Sequence, residues 1–532
     1  MTSTQLRTRF VNEDNRRWWT LAAMCFALFM IMLDNTVVNV ALPSIQADLG
    51  ASISGLEWTV NAYTLTFAVL LVTGGRLGDI FGRRRMFLFG VVAFGASSAF
   101  IGFSQSEAWL VAGRATQGIG AAFMMPATLS IISNAFPPHE RGKAIGTWAG
   151  VSALALAIGP VVGGFLVENV SWQSIFFLNL PVAALAVVVT LFATHESRDE
   201  TAPPSIDYGG VATLTIGLAA LVLALVEGNA WGWSSARIVG LLALAVAGLV
   251  AFAVIEARIA NPMVDFKFFR SRSFAGANVV AFIVSFAMLA TFFFFALYLQ
   301  NVHGYSPLQT GVRFLPTTAV IIVVGPIAGR LSDRIGPRPL IATGLLLNAV
   351  SLFWQGHVEV GTSYGFLVGA FVLMGLGMGL VMSPMSTAAM NAVDPAKAGV
   401  ASGVLSMSRM VGGTFGVAAM GALITGLGRH KIDETLPQLP EAARHDLAEN
   451  LGAGATGGAG AVHDAVQQAF LYALNDGLRI ASVVCVAGAA MAWLLIAPGV
   501  PQRQPVHDAD SAEVGTGDGG SELAAAAETA LA

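Results

Sequence analysis

Gly75-Arg-Leu-Gly-Asp-Ile-Phe-Gly-Arg-Arg84 returns 254 positions later as Gly329-Arg-Leu-Ser-Asp-Arg-Ile-Gly-Pro-Arg338, with six of the ten positions identical. Each copy follows one long apolar stretch and precedes another, so each reads as a short charged loop between two membrane helices. A repeat of this size in a membrane protein means two related halves. Paired halves are the build by which secondary transporters alternate access to a central site.

The rest of the chain agrees. Of its 532 residues 55% are hydrophobic and 11% charged, with a mean hydropathy of +0.69; soluble domains carry about 25% charged residues. Segments such as Leu21–Met32 and Leu241–Ile255 are apolar on every side and need lipid or other helices around them. Windows of about twenty apolar residues occur fourteen times, from 19–40 to 475–497. Cys25 and Cys485 lie inside apolar windows and read as small apolar side chains, with no disulfide framework and no metal site. The first window is a full span and carries Asp34, unlike the shorter, uncharged core of a cleavable signal peptide.

An even number of spans puts both ends on one side, and positive charge says which. Arg7, Arg9, Arg16 and Arg17 precede the first window. Arg83–Arg85, the Arg141/Lys143 pair, the group from Arg258 to Arg272, the three arginines Arg330, Arg334 and Arg338, and Lys397 fill alternate loops. Loops 41–55 and 356–363, in between, hold no Arg or Lys. Both termini are therefore expected in the cytoplasm.

The fold class that follows is an all-α polytopic membrane protein of fourteen transmembrane helices: two six-helix halves plus two inserted central helices. The expected organisation is a cytoplasmic N-terminus 1–18, a first half 19–193, and a linker 194–272 holding the inserted pair. A second half spans 273–497 with an external loop 426–474, partly helical or mobile, and 498–532 is a disordered cytoplasmic tail. Two further parallels support the register. Pro137–Lys143 corresponds to Asp394–Lys397, and Gly159-Pro-Val-Val-Gly163 to Gly412-Gly-Thr-Phe-Gly416.

A few side chains stand out chemically. A carboxylate inside a span costs about 2.5–3.5 kcal/mol on insertion scales, so Asp34 is kept for partners or function. It serves in proton coupling or cation binding, or as a structural carboxylate capped by Asn35 or Thr36. Arg114 is a second intramembrane charge facing the interior of the first half; one reading makes it a structural hydrogen-bond hub. Asp79, with Arg83 and Gly75, forms a gating loop in which the carboxylate pairs with the arginine and caps a helix N-terminus of the other half. Gly329 and Asp333 take the equivalent, weaker part. The arginine triplet also sets topology. Gly150, Gly159, Pro160, Gly163 and Gly164 put small residues on one helix face, a close-packing hinge. Asn39, Asn61, Tyr63 and Gln117 are polar residues that point inward toward a substrate cavity. Glu227 and Glu256 read as solvated span ends, and Arg409 as an intramembrane cation that holds a carbonyl or an acid.

Four motifs make the chain resemble the major facilitator superfamily, specifically its fourteen-span drug:proton antiporter branch. Leu33-Asp-Asn-Thr-Val-Val-Asn-Val-Ala-Leu-Pro43 matches the first-helix motif, and Gly75–Arg84 the loop motif. Leu110-Val-Ala-Gly-Arg-Ala-Thr-Gln-Gly-Ile-Gly120 matches the span-four motif. Gly150 with Gly159-Pro-Val-Val-Gly-Gly164 matches the span-five motif of exporters. One departure is Trp172-Gln-Ser-Ile-Phe176, where the branch has Trp-Arg-Trp-Ile-Phe, so that an arginine and a tryptophan are absent from the loop before the sixth span.

The resemblance implies proton transfer through Arg114 beside Asp34, with Pro160 as part of the hinge. It implies a proton-coupled antiporter exporting small amphipathic or cationic drugs, antiseptics or antibiotics. The alternatives are export of an endogenous metabolite or antibiotic, a proton-linked importer, or a non-transporting receptor. No phosphate-cradling loop or catalytic cluster is present, so the expectation is no enzyme, no cofactor and no metal. Expected partners are a small-molecule substrate, protons and the lipid bilayer, without nucleic acid, with each monomer complete in itself. The expected location is a bacterial cytoplasmic (inner) membrane.

Overall fold

The computed structural model describes residues 12–51, 53–200, 207–259, 262–452 and 460–498. Among them there is no strand, and fourteen long helices follow in order. The first half holds α1 (Glu13–Leu49), α2 (Ile53–Phe81), α3 (Arg83–Gly102), α4 (Glu107–Ala135), α5 (Arg141–Asn169) and α6 (Asn179–Ala193). An inserted hairpin follows, α7 (Tyr208–Trp231) and α8 (Ala236–Arg258). The second half holds α9 (Arg272–Leu297), α10 (Leu315–Ile335), α11 (Pro337–Gln355), α12 (Tyr364–Asn391), α13 (Ala398–Thr435) and α14 (Ala461–Leu495). Thirteen spans are long and apolar enough to cross a membrane by length and composition. The other helix, α11, is less apolar because it starts Pro337-Arg338-Pro339 and buries Asn348, Ser351 and Gln355.

The repeat seen in the sequence is a repeat of packing. In the first half α2 pairs with α4, α3 with α4 and α6, and α1 with α5 and α6. In the second, α10 pairs with α12, α11 with α12 and α14, and α9 with α13 and α14. The halves meet chiefly where α2 crosses α13 and α5 crosses α10. The α7–α8 hairpin closes through Gly217 against Gly248 and sets α7 beside both α2 and α13. Large apolar side chains such as Phe89, Val92, Val246, Val250, Val483 and Leu494 remain exposed, as a lipid-facing surface requires.

Glycine makes the crossings possible. A Cβ on Gly75 would strike the carbonyl oxygen of Gly399, and one on Gly142 that of Gly329. Each turn out of the loop motif also needs glycine: Gly82 sits at φ 109° and its repeat partner Gly336 at φ 85°, a region closed to residues with a Cβ. Gly399→Val is expected to cost about 1–3 kcal/mol by overpacking, read as a lower unfolding temperature of purified protein. Gly240→Val, at a site with nothing within 4 Å, is the control and is expected to change stability by less than about 0.5 kcal/mol.

Two expectations change. Segment 426–474 is mostly helix rather than loop: α13 runs on to Thr435, a surface helix spans Glu441–Gly452, and α14 starts at Ala461. Polar extensions held by pairs such as Lys431–Glu434 (3.0 Å) continue the helices beyond their apolar windows. Glu227 and Glu256 are not solvated ends but buried, at 7% and 3% exposure, and Glu256 accepts the Val264 N–H at 3.1 Å. The expected tail lies outside the described residues from 499 on, as do residues 1–11 of the N-terminus.

Candidate functional site

Asp34 and Arg114, 80 positions apart on α1 and α4, form one buried ion pair with Nη1 to Oδ2 at 2.6 Å, each side chain 1% exposed. Every atom of the carboxylate has a partner. Asp34 Oδ1 accepts from Gln117 Nε2 at 3.0 Å and from Asn179 Nδ2 at 3.2 Å. Arg114 Nη1 also donates to Gln117 Oε1 at 2.6 Å, and its Nε to the Thr59 carbonyl at 3.0 Å. The Ser98 hydroxyl accepts from Gln117 and Asn179 at 2.8 and 3.2 Å and donates to the Phe94 carbonyl at 2.8 Å. Five helices, α1, α2, α3, α4 and α6, are thus tied into one hydrogen-bonded network around this carboxylate.

Gln117, read from sequence as cavity-lining, belongs to this network. Ser98 and Thr59 were missed; a lone polar residue in an apolar window has no periodicity to mark it. Tyr63 lays its ring under Arg114, with Cζ 4.3 Å from the centroid. Its buried hydroxyl lies beside the Asn35 side chain but makes no bond of good hydrogen-bond geometry among the described residues. Tyr63→Phe is therefore expected to leave efflux within about twofold of wild type, since no bond is lost. Tyr63→Ala opens a cavity beside the ion pair, and about 3–5 kcal/mol of stability goes with it. Efflux and unfolding curves of the two variants check this. Asn39 is exposed and bonds back to the Asn35 carbonyl at 3.0 Å, while Asn61 is half-buried on α2.

The loop motifs form a second site where the halves meet. Asp79 accepts the N–H groups of Gly399 and Val400, both at 2.8 Å, and so caps α13. Arg83 donates to the same carboxylate through Nε at 2.8 Å and Nη2 at 2.6 Å, and through Nη2 to the carbonyls of Pro395 and Ala396. Asp333 repeats the cap on α5, accepting from Gly142 at 3.1 Å and Lys143 at 3.2 Å. It has no arginine, because Pro337 stands where Arg83 does. A helix N-terminus carries partial positive charge, so each carboxylate is well placed.

The span-five glycines divide their work. Gly150 faces α10 at Ile322, Gly159 and Gly163 pack on Thr36 and Val37 of α1, and Gly164 meets nothing within 4 Å. The side chain of Pro160 lies outside the described residues. Gly142 and Gly146, unnoticed in the sequence, make the closest approach to α10. At the opposite end, Trp172 Nε1 and Gln173 Nε2 donate to Asp48 Oδ2 at 2.8 and 3.3 Å. The glutamine thus shares the Asp48 carboxylate with Trp172 at the place where the resemblance expects an arginine.

Comparison with known proteins gives a consistent picture. Residues 24–417 match the model of the Major Facilitator Superfamily. A tetracenomycin C resistance and export protein of Streptomyces glaucescens is 36% identical over 494 residues, 90% of this chain and 91% of that one. The multidrug resistance protein Stp of Mycobacterium tuberculosis is 38% identical over 433 residues, 81% and 80% of the two chains. The puromycin resistance protein pur8 of Streptomyces alboniger is 38% identical over 418 residues, 78% and 83%. Among solved structures, the human organic anion transporter MFSD10 superposes with a TM-score of 0.60 over 90% of this chain and 99% of that one. At 16% identity that likeness is one of fold.

Proposed function

The chain belongs to the major facilitator superfamily, and from that premise we propose that it is a proton-coupled antiporter exporting small amphipathic compounds by alternating access. The family is one of transporters, so this multi-pass membrane protein is not an enzyme. The observation that carries the proton-coupling is Asp34, an intramembrane acid on α1 whose charge is met by Arg114 and whose bonds reach α4 and α6. A proton on Asp34 cancels the attraction that holds Arg114 and removes an acceptor site from Gln117 or Asn179. Proton uptake at this one carboxylate thereby loosens the network that ties α1 to α4 and α6.

The basic loops orient both termini and the loop-motif end toward the cytoplasm. In that orientation the caps of Asp79 on α13 and Asp333 on α5 close the cytoplasmic side, and the bundle is poised to take up protons from outside. The protein sits in a bacterial cytoplasmic membrane and works as a monomer. Export rather than import is supported by the relatives, which are named for resistance and export. One of them is named for a single antibiotic and another for many drugs, so a dedicated substrate made by the same cell is a second reading.

Everted membrane vesicles test the reading. Energised vesicles are loaded with a pH-sensitive dye, and a panel of amphipathic compounds is added in turn. A transported compound is expected to collapse part of the proton gradient and to accumulate inside. Accumulation that an uncoupler leaves untouched would rule out proton coupling.

A further inference from the structure

Two deep arginines find acid partners, Arg114 in Asp34 and Arg83 in Asp79. Arg409 does not. It lies on α13 nine residues beyond Val400, roughly 14 Å further at 1.5 Å per residue. That is close to half the thickness of a bilayer core of about 30 Å. Its Nη2 is buried, and no hydrogen bond or ion pair reaches the guanidinium among the described residues. The carbonyl or acid expected from the sequence is not there.

Its surroundings are also short of acceptors. Arg409 Cζ stands 5.8 Å from the ring centroid of Trp148, which belongs to α5 in the other half. Trp148 is 2% exposed, and its Nε1–H likewise has no partner among the described residues. On α13 itself Ser406 and Ser402 carry buried hydroxyls without partners. The spacing 402, 406, 409 puts all three side chains on one helix face. Buried donors left open in this way are costly unless something supplies the acceptor.

We propose that Arg409 and the Trp148 indole together dock an anionic group of the transported compound, so that the substrates are amphipathic organic acids carried as anions. The inference rests on the export reading above and narrows its substrate class. Asp34 is already neutralised by Arg114 and offers no free charge to a cation, whereas no carboxylate is paired with the Arg409 guanidinium among the described residues. A guanidinium gives a carboxylate or ionised phenol a two-pronged fit, and the tryptophan face suits a flat apolar body. Because the two docking residues sit on opposite halves, a bound anion ties α13 to α5 and couples occupancy to the movement of one half on the other.

The test uses full-length protein in lipid nanodiscs, with fluorescein as the anionic probe and ethidium as the cationic one, binding being read by fluorescence polarisation. Arg409→Gln is expected to weaken fluorescein binding about tenfold or more, the scale of a lost charge-assisted bond. Arg409→Lys should recover most of it, and Trp148→Phe should weaken it by a smaller factor. On wild-type protein, benzoate is expected to displace fluorescein and tetraethylammonium is not, a comparison that depends on no variant folding. Equal displacement by the two, or equal fluorescein affinity in wild type and Arg409→Gln, overturns the inference. So does a wild type that binds ethidium but not fluorescein, with export left standing. Fluorescein bound through Arg409 but moved by no proton gradient would uphold the docking and remove the export reading instead.

Discussion

Asp34→Asn is expected to reduce proton-driven efflux about a hundredfold or more, to the background of the vesicles, because the group proposed to carry the proton is gone. Substrate binding to purified protein is expected to survive, since both oxygens of Asp34 are already taken by Arg114, Gln117 and Asn179 and none is left for a ligand. The variant is also less stable. Asparagine offers one oxygen where three donors converge, from Arg114, Gln117 and Asn179, and the guanidinium loses its counter-charge. Removing one partner of a buried pair costs about 3–5 kcal/mol.

A double variant separates the two effects. Arg114→Gln in the Asp34→Asn background removes the uncompensated charge, so stability is expected to return above that of either single variant. Efflux stays at background. Recovery of efflux in the double variant would make the pair a structural element and move proton coupling to another residue. Unfolding curves and gradient-driven efflux on the same preparations give both readings.

How much of this was legible depends on which physics writes into local sequence. Apolar windows announce spans because a bilayer demands about twenty apolar residues in a row, and the repeated loop motif announces two halves. Asp34 and Arg114 were visible as charges in those windows. Their pairing was not, because 80 positions separate them and nothing local encodes a tertiary contact. Gln117 was visible as polar but looked free to face a ligand. Ser98 was invisible among the small residues of α3. Helix ends escaped for a different reason: hydropathy senses lipid, whereas α13 continues past the lipid on ion pairs and helix propensity. Arg409 shows the reverse case, an intramembrane charge plain in the sequence whose meaning lies in the partner it lacks.

Asp79→Ala is expected to open the loop-motif end far more than Asp333→Ala, although the two carboxylates are repeat equivalents. Asp79 accepts four hydrogen bonds, two from Arg83 and two from the start of α13, in a pair at most 1% exposed. Alanine there strands a buried guanidinium as well as two helix N–H groups, about 3–5 kcal/mol. Asp333→Ala removes a cap alone, about 0.5–2 kcal/mol. Converted to populations, that is about a hundredfold or more against about thirtyfold or less. The stronger lock is also the better braced. Asp199 donates its N–H to the Asp79 carbonyl at 2.8 Å, and Ser197 accepts the Arg83 N–H at 2.9 Å. Glu196 accepts from the N–H groups of Arg84 and Arg85 at the start of α3. Residues 196–199, on the way to the inserted hairpin, therefore brace the Asp79–Arg83 pair, and α7 packs beside both α2 and α13. A cysteine at the buried Thr73 position of α2, labelled by an impermeant maleimide from the loop-motif side, reads the opening, because Cys25 and Cys485 are both buried. Equal labelling rates in the two alanine variants would show that Arg83 adds nothing to the lock, and the asymmetry would then lie elsewhere.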